Sequence, residues 1–74
     1  MKTVKVKLNN TSEVLSFVHK AEQIDCDLDL SKRSTTVDAK SVLGVLSLDI
    51  SEPLTLTIHN ESADISDFEE FIVQ

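Results

Sequence analysis

Ser41 opens the run Ser41-Val42-Leu43-Gly44-Val45-Leu46, and no other residue is so well placed to carry chemistry. A serine ahead of a short apolar helix can cap it, because its hydroxyl accepts a hydrogen bond from a backbone N–H one turn on. The same oxygen could carry a phosphate against the positive end of the helix dipole. Gly44, the one glycine of the chain, lies inside this run.

The other chemistry-bearing residues are more scattered. His19 falls two turns into an amphipathic stretch, beyond the reach of helix N-terminal amides, and reads as an exposed helical histidine. His59 follows the apolar Ile58 at a strand end and reads as surface. Two histidines without a cysteine or acid at ligand spacing do not make a metal site. Asp25, Asp27 and Asp29 alternate along a strand-like segment and predict a negative stripe. That stripe lacks the glycine turn and spacing of a calcium loop. It reads as a solvated face, with Lys5 and Lys7 of a neighbouring strand covering it. Cys26 sits between two acids, whereas a reactive thiolate needs positive neighbours; it reads as an inward-facing packing residue of that strand. There is no nucleophile–base pair, phosphate-binding glycine loop or metal set. Neither enzymatic activity nor a cofactor is therefore expected.

Composition narrows the partners. Lys and Arg total 7 against 13 Asp and Glu, for a formal charge of -6, which argues against a nucleic-acid backbone. Three Phe without Trp or Tyr give no base-stacking platform. No apolar run approaches the roughly 20 residues of a membrane span, and Met1-Lys2-Thr3-Val4-Lys5 alternates too early for a signal peptide. A single cysteine leaves no internal disulfide and fits a reducing, cytoplasmic compartment. With 74 residues, the chain has room for one domain, 1–74, and one modest core.

The elements that must position Ser41 follow from periodicity. Lys2 to Leu8 alternates with Val4, Val6 and Leu8 inward, a half-buried strand. Val14, Phe17, Val18, Ala21 and Ile24 recur at three and four, an amphipathic helix. Asn10 is a good N-cap, with Glu13 three residues on as the acid of a capping box; Thr11 or Ser12 could cap instead. Asp25 to Leu30 alternates again, with Cys26, Leu28 and Leu30 inward. Ser31-Lys32-Arg33-Ser34 reads as the turn of a hairpin into the strand Thr35-Thr36-Val37. A brief helix covers Ser41 to Leu46. Pro53 precedes a strand with Leu54, Leu56 and Ile58 inward. Ile65, Phe68, Phe71 and Ile72 make a last helical stripe, and Ser66 with Glu69 is a second possible capping box. The order is β-α-β-β-α-β-α. Strands with a single apolar face predict an α+β fold: an open-faced sandwich of four mostly antiparallel strands with three helices on one face.

This order, and above all the string Lys40-Ser41-Val42-Leu43-Gly44-Val45-Leu46-Ser47-Leu48, resembles the HPr family, the small phosphocarriers of the bacterial sugar phosphotransferase system. Asp25 to Leu30 and the stretch from Asn60 to Phe68 match more loosely. The resemblance implies that Ser41 corresponds to a regulatory serine phosphorylated by a dedicated kinase in many Gram-positive bacteria. The modified protein then binds a transcriptional regulator of carbon use. Lys40, Val42, Leu43 and Leu46 correspond to partner-binding positions. The resemblance breaks at the first helix. The family's Gly-aliphatic-His-Ala-Arg-Pro-Ala places its histidine on Asn10, its arginine on Ser12 and its proline on Glu13. An amide cannot carry phosphate as an imidazole does. The expectation is a regulatory binding protein without histidine phosphotransfer. The alternatives are a phosphocarrier whose acceptor has moved to His19, or an adaptor unrelated to sugar transport. Implied partners are proteins: an HPr-type serine kinase, a transcriptional regulator or phosphotransferase components.

Overall fold

A computed structural model describes residues 2–73. The strands are β1 (Lys2–Val6), β2 (Leu28–Lys32), β3 (Thr35–Asp38), β4 (Leu54–Ile58) and β5 (Ile72–Val73). Between them lie helices α1 (Thr11–Glu22) and α2 (Val42–Leu46) and a 3₁₀ helix, Ser66–Phe71. The strands form one sheet in the order β3-β2-β4-β1-β5, and every pairing is antiparallel.

Alternation decides which face is covered. Val6, Leu28, Leu30, Leu54, Leu56 and Ile58 are buried, while Thr3, Lys5, Thr36 and Asp38 between them are exposed. The register aligns Val4 with Leu56 and Leu56 with Leu30, so one apolar row crosses the central strands. Helix α1 lays Val14, Phe17, Val18 and Ala21 into the same cluster, and α2 adds Val45. Phe17 meets Phe68 at 5.2 Å between ring centres and Phe71 edge-on at 5.7 Å, which fixes the 3₁₀ helix against α1. Lys20 lies 5.5 Å above the Phe71 ring and pairs with Glu70 at 2.8 Å.

The sheet has five strands where the sequence predicts four. The apolar stripe Ile65–Ile72 does not stay helical to its end: Phe71 closes the 3₁₀ helix and Ile72 turns extended, φ -71° and ψ 133°. Ile72 and Val73 then pair with Val6 and Lys5 along the free edge of β1. Ser66 caps nothing; Ile65 is the cap position without a side-chain bond, and Asp64 Oδ1 instead accepts from the Ser66 amide at 2.9 Å. That bond holds the Asp64 carboxyl below the usual carboxylate range.

β2 begins at Leu28, later than the alternation from Asp25 predicts, because its partner β4 ends opposite it at Ile58. Beyond that point one bond continues the ladder, His59 N–H to the Asp27 carbonyl at 3.1 Å. Cys26 is therefore a half-buried loop residue, and Asp25 and Asp27 share no strand face with Asp29. Lys5 and Lys7 do not cover these acids, since β4 separates β1 from β2. Lys5 donates to Thr55 Oγ1 at 2.8 Å, and Lys7 donates to Asn9 Oδ1 and to the Leu8 and Ile50 carbonyls. Asp29 instead meets His59 Nε2 at 2.8 Å.

Candidate functional site

Two helix starts carry the residues of interest, and their chemistry differs. At α1, Asn10 is the N-cap: its Oδ1 accepts from the Glu13 amide at 2.9 Å, and its carbonyl accepts from Val14 at 3.1 Å. Glu13 reaches back one residue further than a capping box requires. Its Oε1 accepts from the Asn9 backbone amide at 3.0 Å and from Asn9 Nδ2 at 3.1 Å. Lys7 braces the same asparagine through Asn9 Oδ1 at 3.2 Å. Side chains of this chain thus take up two amides around the helix start, those of Asn9 and Glu13. A shallow cavity of about 270 Å³ adjoins it, lined by Asn9, Ser12, Glu13, Ser16, Glu70 and Phe71. No imidazole is among these residues. His19 is exposed on the second half of the helix, roughly 13 Å along the axis from Asn10 at 1.5 Å per residue.

At α2, Ser41 Oγ accepts from the Gly44 amide at 3.0 Å, and the Ser41 carbonyl accepts from Val45 at 2.9 Å. The approach to this cap is held by an Asx turn. Asp38 Oδ1 accepts from the Lys40 amide at 2.9 Å, and the Asp38 carbonyl accepts from the Ser41 amide at 3.0 Å. Gly44 is favoured by tight space, not by backbone angle. A Cβ there would lie 3.2 Å from Val37 Cβ and 3.3 Å from both Cβ and Oγ of Ser41.

The side chains around Ser41 divide into held and free. Lys40 is held: its ammonium donates to the Ile24 carbonyl at 2.7 Å. Val42 is half-buried and packs on the core. Leu43 is 82% exposed and Leu46 is 42% exposed. Leu15 on α1, which packs against α2, is 51% exposed. Sequence reasoning missed Leu15, although it lies off the buried stripe of α1 and so had to face outward. It also missed the His59–Asp29 pair, which joins residues from different strand ends. Among the described residues, no group of three or more His, Cys, Asp or Glu is placed to hold a metal ion.

A family model described as the PTS HPr component phosphorylation site matches residues 4–73. The chain belongs to the HPr family. HPr proteins are phosphocarriers of the phosphotransferase system rather than enzymes, and they work through protein partners of that system. Among solved structures, the phosphocarrier protein HPr from Bacillus anthracis str. Ames is 33% identical. That likeness covers 93% of this chain and 82% of the other, with a TM-score of 0.63. HPr-C-His from Thermoanaerobacter tengcongensis superimposes with a TM-score of 0.78 over 95% of this chain and 89% of the other, at 23% identity; that likeness is one of fold. The HPr fold accounts for the open-faced sheet and its three helices, and no helix among the described residues is long and apolar enough to cross a membrane.

Proposed function

We propose that this HPr-like chain is a cytoplasmic regulatory binding protein, controlled by phosphorylation at Ser41, and not a histidine phosphocarrier. The observation that carries the reading is the start of α1. The sequence resemblance puts the family's histidine on Asn10, which here caps the helix, and the Glu13 carboxylate is bonded to the Asn9 amide at 3.0 Å. An amide cannot accept a phosphoryl group as imidazole does, and a fixed carboxylate beside it repels one.

Ser41 retains what a modification needs: a hydroxyl at a helix start with exposed Leu43 and Leu46 beyond it. A dedicated serine kinase would pass the γ-phosphoryl of ATP to Oγ, with the hydroxyl proton released and ADP departing. The phosphate adds about two negative charges and three acceptor oxygens. An arginine-bearing regulator would bond those oxygens bidentately while packing on Leu43, Leu46 and Leu15. Lys40 enters this surface only if it leaves the Ile24 carbonyl.

The deciding experiment presents the purified protein to phosphoenolpyruvate with the general enzyme of the phosphotransferase system, and separately to ATP with an HPr-type serine kinase. Intact mass reads the result. Phosphate at Ser41 from ATP alone is the expected outcome. Acid-labile phosphate on His19 or His59 would make this a relocated phosphocarrier and overturn the reading. Absence of label from both donors would overturn it in favour of an adaptor outside sugar transport.

A further inference from the structure

We infer that Lys40 is a latch: it ties the segment after α1 to the start of α2, and a phosphate on Ser41 releases it. Lys40 Nζ donates to the Ile24 carbonyl at 2.7 Å across sixteen residues of sequence. Ile24 lies just beyond the C-cap Gln23, where Gln23 and Ile24 amides bond back to the Lys20 and Ala21 carbonyls at 3.1 Å. Further along this segment, the Asp27 carbonyl accepts from the His59 N–H at 3.1 Å. Between these ties Cys26 is half-buried and, like Ile24, packs against the core, so Lys40 supplies the polar tie at the Ile24 end of the segment.

The competition is set by charge. A neutral carbonyl holds the ammonium now. A phosphate on the adjacent residue would offer it a dianion, which adds the attraction between opposite full charges to a bond that the ammonium already assists. The reach is short, because consecutive Cα atoms are about 3.8 Å apart and a lysine carries four methylenes. Asp38 cannot take the place of Lys40 at the phosphate. Its carboxylate already accepts from the Lys40 amide and would repel the phosphate, which favours recruitment of the Lys40 side chain. The consequence is that modification at Ser41 loosens residues 23–27 at the far end of α1, and frees a cation beside the phosphate.

This inference rests on Ser41 being a phosphorylation site, and its test avoids dependence on any kinase. Phosphoserine is installed genetically at position 41, and hydrogen exchange is followed over residues 23–27 together with alkylation of Cys26. Lys40→Met, Lys40→Met with phosphoserine, and Ser41→Ala are the companions. Phosphoserine and Lys40→Met are each expected to speed exchange about tenfold or more, the change for losing one bond to a charged group. Combining them should add nothing further. Cys26 alkylation should rise in parallel. Added negative charge or a lost cation disfavours the thiolate, so a faster reaction reports exposure. Three results would overturn the latch: unchanged exchange with phosphoserine, full additivity with Lys40→Met, or an equal effect from Ser41→Ala, which would point to loss of the cap alone. Failure of a serine kinase to label the wild-type protein bears on the proposed function and leaves this result standing.

Discussion

Glu13 does at the start of α1 what an incoming anion would do, and does it permanently. The sequence predicts its role as a capping acid, but its partner is the Asn9 amide and not that of the cap residue Asn10, which is extended as N-caps are. Asn10→Ala should cost about 1 kcal/mol, the usual worth of an N-cap, read by urea denaturation. At the second helix start the same measurement should show Ser41→Ala losing about 1 kcal/mol and Ser41→Asp losing much less, since aspartate caps as well. Gly44→Ala sets two effects against each other. Alanine gains up to about 1 kcal/mol of helix propensity over glycine. The new methyl meets Val37 and Ser41 at 3.2 and 3.3 Å, all of them groups close to the backbone. Overpacking of that kind costs about 1–3 kcal/mol, so the variant should be less stable and its Ser41 hydroxyl displaced.

Between the elements, the hairpin and the loop before β4 are held by one lysine. Lys32 Nζ meets Glu52 Oε1 at 2.7 Å, Asp49 Oδ2 at 3.0 Å and the Asp49 carbonyl at 3.3 Å. Its bond to Glu52, then that to Asp49, raises the lysine above its usual range. Asp49 is pushed well below the carboxylate range, first by the Ser51 hydroxyl and amide and then by Lys32, and Glu52 is lowered by Lys32. Carboxyls depressed in the folded state stabilise it above their unfolded pKa, and that contribution fades as pH falls through the folded value. Thermal unfolding should therefore move to lower temperature between about pH 5 and pH 2, and Lys32→Met should flatten that slope. Alternation alone located β4 at Leu54–Ile58, and the 3.6 period located α1. Pairing, which no local pattern carries, decided the rest. β2 starts where β4 can meet it, and two residues of β5 are too few to show a period. The Lys40–Ile24 bond was equally invisible, because a lysine's partner across sixteen residues depends on how α1 and α2 pack. The Ser41 cap was legible, since serine, helix and glycine lie within one turn.

The whole molecule rests on one small cluster. Phe17, Phe68 and Phe71 supply its aromatic part, and Phe68 is fully buried. Phe68→Ala should cost about 3–5 kcal/mol. Small domains have only about 5–15 kcal/mol in total, so a substantial unfolded fraction should appear in low urea. The fifth strand has a different kind of consequence. Val73 lies directly across from Lys5, three residues from Lys2, so the two ends of the described chain sit roughly 10 Å apart at strand spacing, along one border of the sheet. α2 touches β3 on the opposite border. A short linker could therefore close the chain into a ring, and new ends opened at the Arg33–Ser34 turn would give a circular permutant with the same sheet. By the same token, a tether or fused domain at either end projects from the border away from Ser41, and leaves the Leu15, Leu43 and Leu46 surface clear for capture on a sensor chip.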